Sequence, residues 1–330
     1  MLEEEIKSIA QALRNEANKR FLLVPHDRPD GDALGSMLAL ADALRKAGKE
    51  VHTILVGPVG ARYEFLFEGK SAPVVSKDIS PGQLPEVDVA MVIDTSATRQ
   101  LGSLTSWLEA FAGTLIVIDH HTRGDLSCQL ELIDENCPAT GLLVGKLLDY
   151  LGWLNDPQIA QYVLIAIGTD TGWFSYSNTT PECLKWAARL AEQGVSLRQT
   201  YERLFLSEPP ERFRLLARTL SSAELFADGR IVVFTLKQRD FAETEASEYQ
   251  TENLIDQATR LKTMQVAVLF VEAADNSVRI SLRSRELFDV HTFAKRFGGG
   301  GHRKAAGVKL AGCLAEIKPK IINELIHTLG

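Results

Sequence analysis

Apolar positions along the chain recur with two spacings, and their alternation sets the expected architecture. Residues 2–17 carry apolar side chains every three to four positions, the spacing of an amphipathic helix. Phe21-Leu22-Leu23-Val24 is unbroken apolar, the pattern of a strand buried on both faces, and it ends at Pro25 in the breaker-rich turn His26–Asp32. Residues 33–47 return to the helical spacing, with Gly48 placed to close the helix, and 51–56 reads as a second strand. Residues 87–93 and 115–118 repeat the strand pattern, and each is followed at once by an aspartate, Asp94 and Asp119. Helices are expected at 139–151 and 156–167, the second opened by Asp156-Pro157, and 180–206 reads as helical. This alternation predicts an α/β domain on a parallel sheet with helices on both faces.

Ser207-Glu208-Pro209-Pro210 is the clearest break. Beyond it, 211–225 reads as one helix, 231–236, 266–271 and 277–282 as strands, and 252–261 and 290–296 as helices. The expected division is a catalytic domain over 1–206, a connector over 207–226 and a smaller α/β domain over 227–330. Two cores are natural for 330 residues.

Composition narrows the class. An apolar fraction of 45% and a charged fraction of 24% are those of a globular protein, and a net charge of −7 argues against a long-duplex nucleic-acid binder. A short anionic ligand is still accessible through metal ions or a local basic patch. Cys128, Cys137, Cys183 and Cys313 form no C-x-x-C pair and read as reduced thiols. The first residues lack a signal peptide's basic and apolar regions. No apolar run approaches the roughly 18 residues that would span a bilayer. The expectation is a cytoplasmic protein without a membrane partner; a homodimer is left open.

The chemistry lies where the strands end. In open parallel sheets, ligands bind outside the carboxyl ends of the strands. His26, Asp94 and Asp119 each follow a predicted strand, and Asp30 and Asp32 lie in the loop after the first. Asp170 follows a helix, so pattern alone places it less firmly. A single aspartate after a strand is usually a helix cap. Several carboxylates converging with His120 and His121 need a counter-charge, and a divalent metal supplies it. Imidazole mixed with carboxylate suits Mn²⁺ or Mg²⁺. His26, Asp30, Asp32, Asp94, His120 and Asp170 offer more ligands than one ion takes. Two ions about 3.5–4 Å apart are an established device for phosphoryl chemistry. No nucleophile elbow and no phosphate-binding G-x-x-x-x-G-K-[ST] loop competes.

HDRPDGDALGS at 26–36, VIDTS at 92–96, IDHH at 118–121 and GTDTGWF at 168–174, in that order, resemble the DHH phosphoesterase family. SLRSR at 281–285 and FGGGGHRKAAG at 297–307 look like its associated C-terminal domain. Length and domain content are similar to the branch of bifunctional oligoribonucleases and pAp phosphatases. The resemblance implies one metal on His26, Asp30 and Asp94, and another on Asp32, Asp94, His120 and Asp170. It implies that Asp119 orients a ligand and that His121 faces the substrate phosphate. Mn²⁺ is the implied metal, with Mg²⁺ as the alternative.

Between Arg279 and Lys309 eight residues are basic, and only Glu286 and Asp289 are acidic. Arg283, the backbone amides of Gly298–Gly301 and His302 could form a phosphate-binding concavity, with Gly299 and Gly300 at its centre. Arg99, five residues after Asp94, is a further candidate phosphate contact. The expected substrates are short RNA oligonucleotides and nucleotide phosphates. The leading expectation is hydrolysis to nucleoside monophosphates. The rivals are a phosphatase of 3′-phosphoadenosine 5′-phosphate, an inorganic pyrophosphatase and a catalytically silent nucleotide binder.

Overall fold

The computed structural model describes residues 2–69, 72–75, 77–285 and 288–329, and the backbone alone of His302. Glu286, one of the two acids counted in the basic segment, lies outside the described residues. The chain divides into two compact units, 1–207 and 208–330.

The first unit runs α1 (Leu2–Arg14), β1 (Arg20–Pro25), α2 (Gly31–Lys46), β2 (Glu50–Thr53), β3 (Val89–Ile93), α3 (Thr105–Glu109), β4 (Thr114–Asp119), β5 (Leu130–Ile133), α4 (Thr140–Leu151), α5 (Pro157–Asp170), α6 (Pro181–Glu192) and α7 (Leu197–Phe205). Its sheet is all parallel in the order β2-β1-β3-β4-β5. The chain steps from β1 to β2 on one side, then returns to β3 on the other. The order therefore reverses between β1 and β3, the position at which such sheets open a binding crevice. Strand register supplies the rest: Pro25 pairs with Ile93 and Ile93 with Ile118. The residues that follow, His26, Asp94 and Asp119, thus share one row across the sheet edge.

Burial explains why the strands are unbroken apolar. Phe21, Leu23, Met91, Ile93, Ile116 and Ile118 face α1, α2, α4 and α5. Leu22, Val24, Ala90, Val92, Leu115 and Val117 face Leu101, Leu104, Leu108 and Leu126. The second face is covered by α3, short 3-10 turns and loops rather than by long helices. Helix α2 is buried on nearly every side, and Gly35 lets it close on α5: a Cβ there would stand 2.6 Å from the Tyr162 carbonyl oxygen.

The second unit runs α8 (Pro210–Ser221), β6 (Glu224–Phe226), β7 (Ile231–Leu236), α9 (Gln238–Thr244), β8 (Val266–Glu272), β9 (Ser277–Ser284), α10 (Val290–Lys295), β10 (Gly300–His302), β11 (Ala305–Ala311) and α11 (Leu314–Leu329). Its sheet order is β10-β11-β9-β8-β7-β6, with β7 and β8 the parallel pair. Val278, Ile280 and Leu282 pack with α10 and α11 on one face, and Val232, Phe234 and Leu269 with Leu215 and Phe241 on the other.

Several sequence expectations change. The connector region divides: Ser207 belongs to the first unit, while α8, through fully buried Leu215, is part of the second unit's core. The helix expected to run to residue 225 stops at Ser221, and Glu224–Phe226 turns back as a strand on β7. The segment 180–206 is two helices broken at Gly194, whose φ of 92° a side chain would strain. Residues 254–260 wind as a 3-10 turn rather than as an α-helix. The second strand ends at Thr53.

Candidate metal centre

The turn after β1 does two things at once. Asp30 caps α2, its Oδ1 accepting the amides of Asp32 (2.9 Å) and Ala33 (3.1 Å). It also groups with His26 and Asp94, their donor atoms within 4.8 Å of one another. Asp32, Asp170 and His120 form a second group of that span, and Asp94, His120 and His121 a third. Asp94 is common to two groups and faces both ways: Oδ2 lies 3.6 Å from His26 Nε2, and Oδ1 lies 3.7 Å from His120 Nε2. Its backbone is left-handed, φ 65°, a conformation of order 1–3 kcal/mol above the relaxed one for such a residue and one that clusters at functional sites. Asp170, the residue least secure from pattern, ends α5 and places Oδ2 3.5 Å from His120 Nε2.

Hydrogen bonds fix which nitrogen of each imidazole points inward. His120 Nδ1 is 3.1 Å from the Cys137 carbonyl; a carbonyl only accepts, so Nδ1 carries the proton and Nε2 offers its lone pair to the carboxylates. His121 donates Nδ1–H to Asp119 Oδ1 at 2.9 Å, and its own amide donates to the same oxygen at 3.0 Å. Ser96 Oγ donates to Asp119 Oδ2 at 2.8 Å. Fully buried Asp119 therefore does not sit among the donor groups; it orients His121, whose side chain is 45% exposed.

The carboxylates are crowded enough to resist ionising together. Burial, then the charges of Asp94 and Asp170, push Asp32 well above the usual carboxylate range, and burial with Asp94 raises Asp30. Asp170 is pushed up to about 6 by burial, with Asp30 and Asp94 adding to the effect. Asp119 goes the other way: burial alone would raise it, but the bonds from His121 and Ser96 hold it below its ordinary value. Its carboxylate pushes His121 up to about 9, against the opposing effect of burial. His26 rises too, because Asp94 outweighs its burial. Buried acids gathered around imidazole lone pairs are a donor set that fits divalent cations, whose charge would restore the ionised carboxylates.

Residues 20–167 match the family model described as the DHH family, N-terminal domain, and residues 228–330 match the DHHA1 domain. A Thermus thermophilus protein named bifunctional oligoribonuclease and PAP phosphatase NrnA is 32% identical over 309 residues, 94% of this chain and 89% of its own. The chain belongs to the DHH phosphoesterase family. A Bacillus subtilis protein of the same name is 26% identical over 88% of this chain and 89% of that one. The solved structure of an exopolyphosphatase-related protein from Bacteroides fragilis shares the fold, with a TM-score of 0.91 at 22% identity over 99% of this chain and 96% of that one. As a member of the DHH family the chain is a hydrolase of phosphate esters.

The substrate residues fare unevenly. Arg99 is exposed on the loop after β3, beside a turn latched by Thr98 to Asp125 at 2.8 Å. Arg283 on β9 gives Nε to Asp256 at 3.0 Å and Nη1 to the Leu282 carbonyl at 3.2 Å. The glycine run is not the open cradle expected of it. Gly298 and Gly299 donate their amides to Lys295 (3.1 Å) and Ala294 (3.0 Å), closing α10, so neither is available to a phosphate. Gly299 is glycine because a Cβ would stand 2.3 Å from the Gly307 carbonyl oxygen. Gly300 pairs with Gly307 across β10 and β11, and space for a Cβ there is open. The side chain of His302 lies outside the described residues. Among the described residues, no helix is long and apolar enough to cross a membrane.

Sequence reasoning missed Ser96, Thr140 and Gly141. Thr140 donates its amide to Asp32 Oδ2 and its hydroxyl to Asp94 Oδ1, and Gly141 its amide to Asp32 Oδ1, all at 2.7 Å. Ala139-Thr140-Gly141 at a helix start was a readable signal, since helix amino ends attract carboxylates.

Proposed function

We propose that the chain hydrolyses short oligoribonucleotides to nucleoside monophosphates and removes the 3′-phosphate from 3′-phosphoadenosine 5′-phosphate. The observation that carries this is Asp94, whose two oxygens face two separate donor groups. His26, Asp30 and Asp94 would hold one cation, and Asp32, Asp94, His120 and Asp170 a second; Mn²⁺ suits this mixture best, with Mg²⁺ the alternative. Two such ions supply Lewis-acid stabilisation of an in-line displacement at phosphorus. His121, held by Asp119, presents a cationic donor to the phosphate oxygens as charge builds on them. Arg99 in the first unit, and Arg283 and Gly300 in the second, are each candidate contacts for a substrate phosphate. On this reading residues 1–207 are catalytic, residues 208–330 bind substrate, and the protein works in the cytoplasm. The names of the two relatives with both activities support it.

The test is turnover of pApA, short RNA, short DNA, a 24-mer RNA, 3′-phosphoadenosine 5′-phosphate and pyrophosphate with Mn²⁺ added. The expected order places pApA and short RNA first, with 3′-phosphoadenosine 5′-phosphate cleaved at the same site and the 24-mer slower. Asp94→Asn should abolish both activities in a folded protein. Pyrophosphate turning over fastest, unaffected by Arg283→Ala, would move the chain to the pyrophosphatase reading.

A further inference from the structure

Beyond the residues that would hold cations, one short segment touches three of them while contributing no ligand of its own. Cys137-Pro138-Ala139-Thr140-Gly141 leads into α4. The Cys137 carbonyl fixes the His120 ring through Nδ1 at 3.1 Å. The Thr140 and Gly141 amides take one oxygen each of Asp32. The Thr140 hydroxyl takes Asp94 Oδ1. Asn178 Nδ2 donates to the Pro138 carbonyl (3.2 Å) and to the Asp170 carbonyl (3.1 Å), tying the end of α5 to the same segment.

We infer that residues 137–141 act as a template that pre-sets the metal centre, with Thr140 its principal positioning residue. This rests on the metal reading proposed above. Thr140 is fully buried, so its two bonds compete with no solvent, and within the segment it is the residue that touches carboxylates from both groups. Its hydroxyl occupies one side of Asp94 Oδ1 and so selects which lone pair that oxygen can offer a cation. The amides at the amino end of α4 do the same for Asp32. Gly141 has no room to vary: a Cβ would stand 2.2 Å from Ala166 Cβ and 3.2 Å from Asp32 Oδ1. Groups that orient ligands in this way typically change metal affinity about 10–100-fold when removed.

Thr140→Val keeps the amide and the shape and removes only the hydroxyl. Mn²⁺ binding to the full-length protein is read by calorimetry and by the Mn²⁺ electron paramagnetic resonance signal, with melting curves confirming the fold. The expected result is Mn²⁺ affinity weakened about 10–100-fold in Thr140→Val, restored in Thr140→Ser. Wild-type protein that takes up no Mn²⁺ overturns both this inference and the metal reading. Wild-type uptake with an indistinguishable constant in folded Thr140→Val overturns this inference alone. If Thr140→Val fails to fold, exposed Asn178 carries the test: Asn178→Ala should weaken Mn²⁺ binding, and an unchanged constant overturns the template.

Discussion

Asp119→Asn separates the orienting carboxylate of the DHH motif from the residues that would bind metal. The substitution keeps the shape of a fully buried side chain that accepts from Ser96, from the His121 amide and from the His121 ring. It replaces the charged acceptor whose hydrogen bond is the largest cause of the rise of His121 from 6.5 to about 9, a rise to which the charges of Asp94 and Asp119 add. That rise corresponds to about 3 kcal/mol at 1.4 kcal/mol per unit. The ring is 45% exposed, so solvent screening leaves about 1–2 kcal/mol. The sign follows from linkage: a raised folded-state value gives stability that is fully present below about 6.5 and is lost as pH climbs through about 9. The gap in unfolding free energy between wild type and Asp119→Asn should therefore be widest near pH 6 and shrink through pH 9. Carbon–proton spectra of the ring Cε1–H, titrated in metal-free buffer and assigned with His121→Gln, read the group directly. The His121 midpoint should fall by at least about one unit in Asp119→Asn, and turnover should fall about 10–100-fold. A wild-type midpoint near 6.5, or the same midpoint in both proteins, would refute the reasoning.

Two further outcomes test the scaffold. Asp88 accepts from the Lys19 and Arg20 amides and from the Arg20 guanidinium, which together hold it down to about 2; Asp88→Asn should lower stability at pH 7 by about 1 kcal/mol after discounting for exposure. Because the folded value is depressed, that difference should persist above pH 3.8 and vanish as pH falls through about 2, as followed by urea unfolding. Gly35→Ala pushes a methyl group against the Tyr162 carbonyl and Ala166 at the crossing of α2 and α5; chemical denaturation should show a loss of about 2–3 kcal/mol, and a neutral result would mean the two helices separate without resistance.

How much was legible depended on the range over which each residue's position is decided. His26, Asp94 and Asp119 could be placed because a strand ends where its unbroken apolar run ends, and parallel register then brings the next residues into one row. Asp170 ends a helix, and helical spacing does not say where a helix terminus lies in space; contact with His120 settles it. Thr140 was legible only as part of a helix start. Its importance lies in bonds to Asp32 and Asp94, 108 and 46 residues away, and nothing in its neighbours' periodicity records them. The glycine run misled in the opposite sense. Four glycines carry no side-chain pattern, so a loop with free amides and a strand in close approach look alike; the pairing of Gly300 with Gly307 and of Gly301 with Ala306 decides for the strand. Periodicity reports burial and local direction, and it located every acid that is fixed by a strand end. The donor groups are tied together by pairings made across the chain, among them those of Thr140 and Gly141, which lie outside the groups themselves.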